Sequence, residues 1–145
     1  MLTSIDAYPQ PKWNNASSTS EAVLGIASAM DQKQGAEAYD RMLYALGNNH
    51  AGTYYPIALA VLPQLESILS NGAPWAQQAA LNVLIELTGS FEPEPGYERF
   101  AGADLAETIY TRVANMRSLV EHIADEGNVA STSAFDLLEQ IQDHF

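Results

Sequence analysis

Residues 47–89 read GNNHAGTYYPIALAVLPQLESILSNGAPWAQQAALNVLIELTG, and they fix the expected architecture. Pro56 suits the opening turn of a helix, because its missing N–H is one the helix would leave unpaired anyway. Ile57, Leu59, Ala60, Val61 and Leu62 follow, and Leu65, Ile68 and Leu69 continue the apolar face. Pro63 interrupts this segment by removing a backbone donor, which predicts a kink or a restart. Asn71-Gly72 ends the helix, and Pro74 opens another that runs to about Thr88. On a helical wheel Ala76, Ala80, Val83, Leu84 and Leu87 share a centre, widened by Leu81 and Ile85. Only Gln78, Asn82 and Glu86 leave a narrow polar stripe. A helix this apolar needs neighbours on both sides, so it is expected at the centre of the fold, with its polar stripe free.

Outward from this pair the helical signals continue. Residues 1–17 contain Pro9, Pro11 and the Asn14-Asn15 pair and are expected to be loose, with Tyr8 and Trp13 available to pin them down. Ser18 and Glu21 form an S-x-x-E capping box, predicting a first helix from about Ser18. Val23, Ile26, Ala27 and Met30 keep helical spacing. A break over 32–35 precedes a second helix at 36–46, where Tyr39, Leu43 and Leu46 share a face beside Met42. Gly47-Asn48 supplies the stop through left-handed dihedrals. Residues 89–103, GSFEPEPGYERFAGA, read as a loop without regular structure. Asp104, with Glu107 three residues on, caps a long helix that Leu105, Ile109, Val113, Met116, Val120 and Ile123 carry to Asp125. Gly127-Asn128 breaks it, and a last helix spans 133–144 with Leu137, Leu138 and Ile141 on one face. Nothing alternates with period two for long enough to form a strand, so the fold class is all-α.

The chain has 145 residues, 47% of them hydrophobic, enough for one domain with a real core. It has no cysteine, which favours a reducing compartment. The start, MLTSIDAYPQPKW, has neither a basic end nor an apolar core, so a signal peptide is not expected. The longest apolar run, 57–62, is too short to span a bilayer. These features lead to the expectation of a cytoplasmic protein without membrane association. The net charge is −12, from 18 acidic and 6 basic residues. Lys12, Lys33 and Arg41 precede residue 42, and Arg99, Arg112 and Arg117 cluster late. Between them stand Glu66, Glu86, Glu92, Glu94 and Glu98 with no cation. Nucleic-acid binding needs a basic footprint, and this chain has the opposite. The acidity serves solubility, or it steers a cationic partner protein.

Sequence signs of catalysis are sparse. His50, His122 and His144 show no metal-ligand spacing, and without cysteine a structural zinc site is not expected. There is no G-x-S-x-G elbow and no glycine-rich phosphate loop. Glu92, Glu94 and Glu98 lack the dense oxygen set and hinge of a calcium loop. His50 lies in a turn among Asn48, Asn49 and Thr53, where it satisfies a backbone group or touches a partner. Two readings stay open for Phe91, Tyr97 and Phe100: they anchor a partner beside the acids, or they tuck the loop onto the core. Tyr54 and Tyr55 are adjacent, so one packs and the other points outward. The candidate partner-binding residues are therefore Asn49, His50, Tyr54, Tyr55, Gln78, Asn82, Glu86, Glu92, Glu94, Tyr97 and Glu98. No cofactor, metal or catalytic residue is expected.

LPQLESILSNG (62–72) and APWAQQAALNVLIELTG (73–89) together resemble a HEAT-type repeat, close to armadillo-like units. Pro63, Pro74, Ala79 and Ala80 stand where that pattern has its prolines and small crossing residues. Ala73-Pro74 and Gln77-Gln78 depart from the usual Asp-Pro turn and the basic residue after it. Residues 19–46 and 104–145 fit as degenerate units by size. The resemblance implies antiparallel hairpins stacked as a short right-handed solenoid of about six helices, since such repeats need neighbours to bury their faces. GNNHAGTYYP and FEPEPGYE are similar to segments of small acidic HEAT-like bacterial proteins, some of them immunity proteins of polymorphic toxin systems. That similarity implies a non-catalytic module, a monomer or weak dimer, that binds and neutralises a basic toxin domain. The alternatives are a helical-repeat adaptor with a host partner and, further off, a HEAT-fold enzyme.

Overall fold

Side-chain caps mark where three of the helices begin. The computed structural model of the protein describes residues 7–144, with side chains through Gln142. Helix α1 is Ala16–Ala27, and its cap is Asn15, whose side-chain oxygen accepts the Ser18 N–H at 2.9 Å. Ser18 itself lies inside the first turn, so the expected Ser18 cap is displaced by a carboxamide three residues earlier. Helix α2 is Gln32–Leu46, capped by Asp31 through the Gln34 N–H at 2.8 Å. The expected break at 32–35 thus falls before Asp31. Gly35 lies buried inside the helix, where an added Cβ would make only an ordinary 3.5 Å contact with the Trp75 carbonyl.

Helix α3, Ile57–Asn71, is continuous through Pro63, so of the expected kink or restart the restart does not occur. Burial of Val61, Leu62 and Leu65 on either side of the proline outweighs one missing backbone bond. Helix α4, Pro74–Thr88, follows a two-residue turn and packs against α2 on one side and α7 on the other, with α3 and α5 also in contact. Ala76, Ala80, Leu81, Val83 and Leu84 are fully buried, as expected for the central helix.

Asp104 caps α5, Leu105–Ala114, by accepting the Glu107 N–H at 2.9 Å. The single long helix expected here is two: α5 stops at Asn115–Met116, and α6, Arg117–Asp125, starts anew. Met116, Val120 and Ile123 stay buried across the break, so the apolar period hides it. Helix α7 is Ser131–His144. The described residues contain seven helices; α1 packs on α2, α6 on α7, and α4 on α2, α3 and α7, with α3 also touching α1 and α6.

Four two-residue strands correct the strand-free expectation. Strand β1, Thr53–Tyr54, pairs in parallel with β2, Glu92–Pro93; β3, Arg99–Phe100, pairs antiparallel with β4, Ala103–Asp104. Two residues have no periodicity to read. The proline-rich 89–103 segment therefore carries pairing that its composition conceals.

The segment before α1 is fastened, not loose, from residue 7 onward. The Trp13 ring lies 5.6 Å from that of Tyr44 and donates its N–H to the Tyr44 carbonyl at 2.8 Å. The Ile57 N–H bonds to the Pro9 carbonyl at 3.0 Å, and Tyr8 lies 5.7 Å from Phe100. The looseness expected of residues 1–6 lies outside the described residues.

Candidate protein-binding surface

Helices α3 and α4 are 15 residues each and joined by two, so the chain returns at the end of α4 to the place where α3 began. That geometry brings the 48–55 turn against the 91–100 loop. The first segment is shaped by Asn48. Its carbonyl accepts the N–H groups of Gly52 and Thr53, at 2.9 and 3.1 Å. Its side chain accepts those of His50 and Ala51. Tyr55 N–H then bonds to the Leu46 carbonyl at 2.8 Å, laying β1 across the end of α2.

The second loop docks on β1. Glu92 N–H reaches the Gly52 carbonyl at 3.0 Å, and Glu94 N–H reaches that of Tyr54 at 2.8 Å. The buried Thr53 hydroxyl donates to the Glu94 carboxylate. A turn from Glu94 to Tyr97, closed at 2.9 Å, places the Tyr97 ring 5.2 Å from that of Tyr55, tilted by 45°. The Glu98 carboxylate accepts the Gly96 N–H at 2.9 Å. Phe91 and Phe100 are half-buried against the core. The aromatics thus divide: Phe91 and Phe100 hold the loop down, while Tyr97 pairs with Tyr55 across the joint.

Of the eleven sequence candidates, seven come together or border this platform. Tyr55, Glu94 and Tyr97 are half-buried at its centre, Glu92 and Glu98 are exposed, and His50 is exposed with half-buried Asn49 on the adjoining turn. Burial and then the Glu94 charge raise the Tyr55 phenol above its ordinary value.

The other four candidates need correcting. Tyr54 is 1% exposed and belongs to the core; it has no surface to offer a partner. Burial, followed by the nearby Asp104 carboxylate, raises its phenol strongly. The polar stripe of α4 is not free. Gln78 donates to the Val129 carbonyl at 3.0 Å, and Asn82 accepts from Ser133 at 2.9 Å. Glu86 accepts from Ser90 at 2.7 Å and from Tyr39, whose phenol burial and the Glu86 charge push up to about 12. All three are half-buried, because α2 and α7 close over the stripe from both sides.

No sign of the Thr53–Glu94 bond, or of the close approach of Thr53 to Gly47, stands in the sequence. The Thr53–Glu94 bond spans 41 positions and leaves no local trace. The equal lengths of the two central helices were a usable signal that their outer ends meet. Among the described residues no group of three or more His, Asp or Glu side chains is placed to hold a metal ion, and no helix is long and apolar enough to cross a membrane. What the platform offers chemically is negative charge, hydrogen-bond acceptors and aromatic area on a stiffened backbone.

No protein-family model, curated protein or solved structure matches this chain.

Proposed function

We propose that the protein is a non-catalytic binding module, most concretely an immunity protein that neutralises a basic toxin domain. The observation that carries this reading is the fusion of the 48–55 and 91–100 segments into one acidic, aromatic surface. Interfaces draw much of their binding energy from aromatic anchors, while complementary charge sets encounter rate and specificity. Exposed Glu92 and Glu98 and half-buried Glu94 give this surface negative charge, and a net charge of −12 favours the approach of a cationic partner over distance. A toxin acting on an anionic substrate has that kind of surface, and acidic side chains compete for it.

The same proposal includes the architecture. Contacts run α1–α3–α6 along one row and α2–α4–α7 along the other. We read these as three HEAT-like hairpins stacked side by side, with α5 inserted before the third. A stack of this kind supports binding through a rigid surface rather than through a closed catalytic pocket.

Co-expression with a cognate basic toxin domain is expected to restore growth, and the purified pair to form a stable complex. Its association rate is expected to fall by about tenfold or more as salt rises tenfold. Continued toxicity, or a rate indifferent to salt, would overturn the reading. Capture of a partner without toxic activity would instead identify an adaptor.

A further inference from the structure

We propose that the Tyr55–Tyr97 ring pair, with the carboxylates beside it, receives an arginine side chain projected from a basic partner protein. The proposal rests on the 48–55/91–100 surface being a protein interface, but it does not require that the partner be a toxin. Acidity alone does not mark the place, since Glu121, Asp125, Asp136 and Glu139 are equally exposed on α6 and α7. The rings do. They come from different segments, meet at 5.2 Å, and each keeps part of its surface open. A cation over a tyrosine face is attracted by the ring's negative quadrupole.

Charge complementarity selects the occupant. The ion pairs among the described residues are Arg41–Glu21, Arg117–Glu121 and His122–Glu126, and none involves Glu92, Glu94 or Glu98. Arg99, the nearest cation in sequence, is held within its own hairpin by the Gly102 carbonyl at 2.9 Å. Glu94 and Glu98 each accept one internal hydrogen bond, from Thr53 and Gly96, but no described cation pairs with the platform's carboxylates, so their charge is open to an outside cation. A guanidinium fits better than an ammonium, because its plane stacks on a ring while its edge bonds a carboxylate through two parallel N–H groups. Pro93, Pro95 and the Thr53–Glu94 bond stiffen the loop, so little freedom is lost on binding.

The test is a titration followed through the ring resonances of Tyr55 and Tyr97 by NMR. The probes are a glycine-spaced peptide with three arginines and matched peptides carrying lysine or citrulline. The arginine peptide is expected to shift both rings to saturation, the lysine peptide to bind about threefold or more weaker, and the citrulline peptide to leave them unmoved. Tyr97→Leu, with helicity checked by circular dichroism, is expected to weaken binding about fivefold, and Glu98→Gln about threefold. Glu139→Gln on α7 serves as the control and is expected to change nothing. Shifts confined to α6–α7, equal binding of the lysine or citrulline peptide, or an indifferent Tyr97→Leu variant would overturn the proposal. Arginine binding without protection against the toxin would leave this site standing and reject the toxin reading alone.

Discussion

Gly47 holds the joint between α2 and the platform, and it does so by what it lacks. Its φ of 178° is extended, so the left-handed conformation expected of this helix stop is not used. A Cβ there would stand 2.0 Å from the Thr53 carbonyl oxygen and 2.6 Å from the Tyr54 Cα. Gly47→Ala is therefore expected to cost about 3 kcal/mol by overpacking and to disturb the Tyr55–Tyr97 pair, as urea unfolding and the ring resonances would show. Ala101 presents the opposite case. It is the one non-glycine described residue with positive φ, 53°, in the two-residue turn between β3 and β4. Ala101→Gly removes that strain at some entropic cost in the unfolded chain. A net gain of about 0.5–1 kcal/mol in unfolding free energy is expected. At this scale the sequence showed that one tyrosine of the 54–55 pair packs and the other faces outward. It did not show which, because that depends on how β1 meets the end of α2.

Among the elements, α4 has the strongest claim to stability. Leu84 is fully buried on it, with α2 and α7 on either side. Leu84→Ala is expected to cost about 3–4 kcal/mol in chemical unfolding, since a closely surrounded site cannot collapse around the lost methyl groups. Asp104→Ala, by contrast, removes only the cap of α5 and is expected to cost about 1 kcal/mol. The α3–α4 turn, the start of α4 and the Asp104 cap were legible because each is decided within four residues. The break at Asn115–Met116 was not, because the buried period continues through it. Nor was the coverage of Gln78, Asn82 and Glu86. A wheel places these residues on a polar stripe, but only the approach of α2 and α7 decides whether a stripe meets water.

For the whole molecule, buried phenols set the alkaline limit. Tyr54 and Tyr39 have folded-state values raised above the ordinary 10.0. Their contribution is fully present below that value. As pH rises past it the unfolded chain gives up its phenolic protons first, so the folded state loses ground. Unfolding free energy is expected to decline above about pH 10, at up to about 1.4 kcal/mol per pH unit for Tyr54, with a shallower decline in Tyr54→Phe. Urea unfolding across that range, with tyrosine absorbance tracking ionisation, measures it.

The helical class, most helix ends, the centrality of α4 and the acidic balance were set by the sequence itself, because caps, period and composition act locally or by simple addition. The platform belongs to the tertiary structure. Thr53 faces Glu92, and Tyr55 meets Tyr97, only because two helices of equal length fold back and carry the chain's two loops to one place. Contacts between residues some forty positions apart cannot be read from either loop alone. They are fixed by the packing of the 57–88 hairpin between them.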